Sequence, residues 1–287
     1  MPTTPYVSAA AFTAHPTYLD VSGLRPGNPD PAAQAAALTE ILLEASAWAD
    51  NICDQPLGVH TWTQRCRGRV SRGGNLVFRA EHGPVLSVST VGYGSTPTAL
   101  TTVSGAGAWV ENQSNVTLPL TGGTVYWSGS LQFGMPTSDD VWIQAVLTAG
   151  HVATILGADA TAGSTSLTVA DPTGILPGAQ YRIAEPGAEE TITVSSTWTP
   201  GSTTVALVAA TARGHTAGSD FSGLPADARL GVIQYAAALL MRPDSTAEDE
   251  FPDTKLATTT RSKDSRKKGT GLIAEATRTL SSFARIG

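Results

Sequence analysis

The sequence predicts an α+β protein: a helical core with β-strands, a small all-β domain inserted into it, and an extended C-terminal tail. Three observations carry that reading. Apolar residues recur at helical spacing as far as about residue 54, and at alternate positions from 59 onward. Residues 156–222 have a different texture, rich in Gly, Thr, Ser, Ala and Val and poor in helix signals. Charge divides sharply near residue 254. The 287 residues hold 18 Lys plus Arg against 24 Asp plus Glu, a net charge of −6, yet residues 1–254 balance to −12 and residues 255–287 to +6. All four lysines (Lys255, Lys263, Lys267 and Lys268) lie in the last segment. Such a split marks an interacting tail rather than a uniformly solvated surface.

The elements follow in order. Residues 1–29 carry Pro2, Pro5, Pro16, Pro26 and Pro29 and read as an extended or loosely ordered arm. Asp30 is placed to cap a helix and Pro31 suits its first position. Leu38, Ile41, Leu42, Ala45, Trp48 and Ile52 then share one helical face, which ends near Asp54-Gln55-Pro56. Short β-type runs follow at Val59–Arg65, Asn75–Arg79, Val85–Tyr93, Ala108–Glu111, Val116–Leu120, Thr124–Ser128 and Val141–Thr148. Within 156–222, the stretch Thr161–Val169 echoes Thr199–Leu207 at an offset of 38, as expected of a small β-domain with two related halves. A second helix starts after Leu224-Pro225-Ala226-Asp227 and stops at Arg242-Pro243. A third amphipathic stretch covers Leu272, Ala276, Leu280 and Phe283. The division expected is an arm (1–29), a core (30–155 and 223–254), an inserted β-domain (156–222) and a basic tail (255–287).

Catalytic signatures are missing from the pattern. There is no phosphate-cradling loop with Lys and Ser/Thr, no G-x-S-x-G elbow and no H-E-x-x-H pair. The histidines at 15, 60, 82, 151 and 215 are scattered and read as packed or solvated. Cys53 and Cys66 read as ordinary thiols, and Asp139-Asp140 and Glu189-Glu190 as solvated loop charges. The expectation is a protein that is not an enzyme and uses no metal or cofactor. Met1-Pro2-Thr3-Thr4 shows no basic stretch followed by an apolar run, so no secretory leader is expected. No apolar run is long enough to span a bilayer, so no membrane partner is expected either.

Two charge features remain. Arg65, Arg67, Arg69, Arg72 and Arg79 occupy a fifteen-residue window without an acid, and in a strand Arg65, Arg67 and Arg69 share one face. They face either an acidic neighbouring subunit or nucleic-acid phosphate, the acidic chain favouring the subunit. The second feature is the acidic run Asp244–Glu250 beside a basic run holding Lys255, Arg261, Lys263, Arg266, Lys267 and Lys268.

The capped helix with LTEILLEASAWADNICDQPLG leads into HTWTQRCRGRVSRGGNLVFRAEHGPVLSVSTVGYG, and later come VLTAGH and LPADARLGVIQYAAALLMRP. In order and texture, over roughly 30–93 and 141–243, this resembles the head-to-tail connector (head-completion adaptor) proteins of long-tailed bacteriophages. The resemblance implies an adaptor core that packs side by side into a ring, typically dodecameric, beneath the portal. It implies a virion neck location, with host cytoplasm during assembly, no cofactor, and no chemistry beyond shape and association. The implied partners are copies of the chain, the portal protein, a tail-side neck or tail terminator protein, and genomic DNA in transient, non-specific contact. Because the family's C-terminal segment often reaches the portal, Lys255, Arg261, Lys263, Arg266, Lys267 and Lys268, with Leu272 and Phe283, become the expected portal-docking residues. Arg65, Arg67, Arg69 and Arg72 become the inter-subunit or DNA-facing set. An alternative from another class is a β-rich carbohydrate-binding or adhesion protein of a virion or cell surface.

Overall fold

The computed structural model describes residues 2, 4–17, 19–71, 74–120, 140–241 and 270–284. These form two compact units, one of residues 1–58 with 151–287 and one of residues 59–150. The expected helical core is corrected by the element count: the described residues hold thirteen strands and four α-helices. The period-two runs do not decorate a helical centre. They pair with one another and enclose an apolar cluster of their own.

In residues 59–150 the strands are β1 (His60–Val70), β2 (Asn75–Arg79), β3 (Val85–Thr96), β4 (Ala99–Ser104), β5 (Trp109–Glu111), β6 (Asn115–Pro119) and β7 (Asp140–Ala149). They make one antiparallel sheet in the order β4-β3-β7-β1-β2-β6-β5. Alternation puts Val141, Ile143, Ala145, Leu147 and Ala149 of β7 on one face, packed with Leu76, Phe78, Val88, Val91, Val116 and Leu118. Full burial of each larger side chain contributes roughly 1.5–3 kcal/mol. The sheet curls on itself. The amides of Ala80 and Val85 donate to the carbonyls of Ser114 and Gln113 (2.8 Å each), tying the β5–β6 turn to the end of β2 and the start of β3. Gly68 permits a close approach: a Cβ there would strike Ile143 Cδ1 and lie 2.7 Å from the Val77 carbonyl oxygen. Strand β1 runs five residues past the expected end because its exposed alternate positions are arginines, which carry no apolar signal. β4 lies outside the expected runs because half of its sequence ALTTVS is hydroxyl residues, which interrupt the apolar alternation. The run expected at Thr124–Ser128 lies outside the described residues.

The other unit holds α1 (Ala9–Ala14), α2 (Pro31–Cys53), α3 (Ala226–Met241), α4 (Thr270–Leu280) and a 3-10 turn (Ser281–Phe283). The Asp30 side chain accepts from the Ala32 amide, Pro31 starts α2, and Asp54 closes it with φ 51°. Leu38, Leu42, Ala45 and Ala49 of α2 pack with Val232, Ala236 and Ala237 of α3, and Trp48 stacks on Tyr235 at 3.8 Å between centroids. The arm is not loose. Tyr6, Val7 and Phe12 join this cluster, fully or almost fully buried. The Tyr6 hydroxyl donates to Asp50 Oδ1 (2.6 Å) and accepts from the Gly58 amide (2.8 Å). Proline spacing concealed this, because six residues of α1 are too few to show a periodicity.

The same unit contains β8 (Ala153–Ile155), β9 (Ser166–Thr168), β10 (Gln180–Ala184), β11 (Glu190–Thr193), β12 (Thr204–Ala206) and β13 (Asp220–Ser222). The sheet order is β11-β10-β13-β8, with β9 and β12 paired separately. The 38-residue echo is an internal pseudo-two-fold. Leu167 pairs with Val205, and the bridges Leu156↔Val169 and Val194↔Leu207 repeat at the same offset. Gly163 and Gly201 take the matching turns at φ +88° and +91°. Thus β8-β9-β10 and β11-β12-β13 are duplicated halves whose middle strands meet at the axis. These strands fall within the compact unit of the helices, and the two units divide at 58/59 and 150/151.

Candidate functional site

Strand β1 turns Trp62, Cys66 and Val70 toward the apolar cluster and leaves Thr61, Thr63, Arg65, Arg67 and Arg69 exposed. Buried Gln64 fixes the strand from inside, its Nε2 donating to the Arg79 carbonyl (2.7 Å) and its Oε1 accepting from the Glu81 amide (2.8 Å). On the exposed face, register sets Arg65 against Gln144, Arg67 against Trp142 and Arg69 against Asp140 of β7. Arg65 Nε donates to Gln144 Oε1 at 3.0 Å, and the Arg67 guanidinium sits 3.8 Å above the Trp142 ring. Among the described residues no carboxylate lies within ion-pair distance of the three. Alternate residues of a strand are about 6.7 Å apart, so the ladder spans about 13 Å. Its two ordered guanidiniums are held by neutral partners, which orient the charge without cancelling it. Arg72 lies outside the described residues.

The tail residues divide. Lys255, Arg261, Lys263, Arg266, Lys267 and Lys268 lie outside the described residues, as does the Asp244–Glu250 run. Leu272 and Phe283 pack against the helical cluster of their own chain, where Ala276 and Leu280 are fully buried. The Cys53 thiol donates to the Leu280 carbonyl (3.5 Å) and Gln55 Nε2 to the Phe283 carbonyl (2.9 Å). Gly231 gives the Leu280 side chain its room, since a Cβ there would lie 2.8 Å from Leu280 Cγ. The two apolar residues expected to dock on a portal are therefore engaged at home.

Three polar clusters escaped sequence reasoning because their members are far apart in the chain. His60 Nε2 and His82 Nδ1 share a hydrogen bond of 2.8 Å beside Trp62. His215, with no side-chain exposure, sits between Glu185 (Nδ1, 3.1 Å) and Glu190 (Nε2, 3.3 Å). Glu185 also accepts from the Thr216 amide and hydroxyl, and Glu190 from the amides of Ala212 and Arg213. Burial pushes both carboxyls up, but these hydrogen bonds outweigh it and leave both below their ordinary value. The third cluster is Asp220, almost fully buried, paired with Arg229 and accepting from the Ser8 amide (3.0 Å). Arg229 also lines a cleft of about 280 Å³ with His15, Arg182, Glu189, Leu230 and Ile233. Among the described residues no group of three or more His, Cys, Asp or Glu is placed to hold a metal ion. Burial pushes the Cys53 thiol up to about 12, and Cys66 also rises, so neither is poised as a thiolate.

Among the described residues no helix is long and apolar enough to cross a membrane. No family model matches the sequence, and no curated protein matches it. Among solved structures the chain is similar to one from the neck of an empty GTA particle computed with C6 symmetry. That likeness covers 98% of this chain and 94% of the other, at 13% identity and a TM-score of 0.33. A superposition this loose does not define a common fold.

Proposed function

We propose that the chain is a structural subunit of a virion neck, assembling with copies of itself between portal and tail and acting by association rather than catalysis. The carrying observation is the ladder of Arg65, Arg67 and Arg69. It is an open display of positive charge on the outer face of the sheet, with no described carboxylate within ion-pair distance, although Asp140 stands opposite Arg69 at its end. A surface of that kind fits an extended anionic partner and encloses no small molecule. The order of elements along the chain, similar to that of connector proteins, supports the placement of that partner in a neck. In this reading a portal protein and a tail-side neck or terminator protein flank the ring, and DNA passes with transient, non-specific contact. Native mass spectrometry and negative-stain imaging of the full chain, alone and with its portal, test it. Closed rings, or portal complexes containing several copies, are expected. A chain that stays monomeric at high concentration and ignores the portal would overturn it.

A further inference from the structure

The ladder has a definable partner. Resting on the neck reading for its context but not for its geometry, we propose that the exposed face of β1 and β7 binds the phosphate backbone of duplex DNA, independently of sequence. Three features single out that partner. The first is chemical: Arg65, Arg67 and Arg69 stand with exposed Thr61 and Thr63, and Thr61 shares a hydroxyl hydrogen bond (2.9 Å) with Thr148. Guanidinium and hydroxyl donors are the groups that contact phosphate oxygens. The second is what the face lacks. A protein–protein interface is centred on desolvated apolar and aromatic anchors, which arginines accompany but do not replace. Here, among the described residues of β1 and β7, the face holds three guanidiniums with Asp140 opposite the last, and its large ring, Trp142, is covered by Arg67 at 3.8 Å. The third feature follows from that cover. Single strands are held by bases stacked on free aromatic faces. A ring already occupied by a guanidinium offers no such platform, so contact is confined to the backbone, as in a duplex.

The ladder's three charges set a quantitative expectation. Neutralising three phosphates gives a salt slope of about −2.7, so raising salt fourfold weakens the ladder's share of binding about 40-fold. The test is fluorescence anisotropy of the full chain with two unrelated 30-base-pair duplexes, at salt from 50 to 200 mM, beside a single strand and inorganic phosphate as competitors. The variant R65Q/R67Q/R69Q removes exposed side chains only, and its melting curve checks that the fold persists. Arg278→Gln, another exposed arginine outside the ladder, is the control for loss of surface charge elsewhere, one unit against the ladder's three. Equal binding of both duplexes is expected, with a slope reduced by about 2.7 in the triple variant and little changed in Arg278→Gln. An unchanged slope in the triple variant would overturn the proposal, because binding would then belong elsewhere, the basic run at 255–268 included. So would preference for the single strand, competition by millimolar free phosphate, or loss of self-association with DNA binding intact, which would make the ladder a protein interface. Ring formation is read separately by native mass spectrometry, so a monomer that binds duplex through the ladder would refute the neck reading alone.

Discussion

At the scale of single residues, the buried charges of the β-strand module decide its behaviour in acid. Under the pseudo-two-fold, Gly174 matches Gly214 and Gly178 matches Gly218, so His215 occupies the place that Ile175 fills in the other half. One half closes with an apolar side chain, the other with a histidine held between Glu185 and Glu190. Both carboxyls are held below the value of about 4.3 they have in an unfolded chain. Their stabilisation is therefore complete above that value and lost as pH falls through the lower folded one. Urea titrations from pH 6 to pH 3 should show this loss, and Glu190→Gln should flatten it. Asp220 acts in the opposite sense. Burial raises it despite Arg229, so it favours the folded state most below its unfolded value of about 3.9 and loses that contribution as pH rises. Removing its partner is the harsher change. Arg229→Met leaves a carboxylate only 5% exposed without its cation, at a cost of about 3–5 kcal/mol, measurable by chemical denaturation. If the variant kept wild-type stability, the pair would not hold the module as described.

At the scale of elements, α4 is the most informative case. Its narrow apolar stripe was readable from Leu272, Ala276 and Leu280, and so was its inability to stand alone at eleven residues. What was not readable was its partner. The sequence suggested a helix that orders on docking elsewhere, whereas Gly231 and Cys53 make the seat inside the same chain. A glycine within Ala226–Met241 looks like a weak point of a helix until Leu280 is placed over it. Leu280→Ala should cost about 2–5 kcal/mol, seen as a lower melting temperature and faster amide exchange over 270–284. An unchanged melting temperature would mean that the helix docks without contributing. The same logic separates the legible parts of the fold from the rest. α2 was legible because Asp30, Pro31 and an apolar face are all local signals, and the 38-residue echo because its turn glycines repeat. The helical-core expectation failed because strands such as β1 advertise themselves with arginine and threonine on one face. Their contribution to a core depends on partners up to about ninety residues away, as Thr61 meets Thr148. The ladder was legible as a face and illegible as a surface, since only the register with Gln144 and Trp142 shows that its charge is oriented but not cancelled.

At the scale of the whole molecule, the chain leaves one unit after Gly58 and returns to it at His151. The two crossing points are neighbours. The His151 amide donates to the Leu57 carbonyl (2.7 Å), and Gly58 and His151 form a parallel bridge. Residues 59–150 therefore form an excursion whose ends already meet, with their own apolar cluster and a sheet in which every pairing is internal. Closing such a gap with a short linker adds little entropy, because the closure term grows only with the logarithm of length. Joining residue 58 to residue 151 through a few Gly/Ser residues should leave a folded protein. Its helices and duplicated strands should melt cooperatively within a few degrees of the corresponding transition in the full chain. Excising 156–222 should behave otherwise. That deletion removes Asp220, and with it the partner of Arg229 on α3 and of the Ser8 amide in the arm. Circular dichroism and size-exclusion chromatography of the two deletions, side by side, decide where the boundary lies. A soluble, cooperative product from the first and an aggregating one from the second are expected, and the reverse outcome would return the boundary to residues 156 and 222.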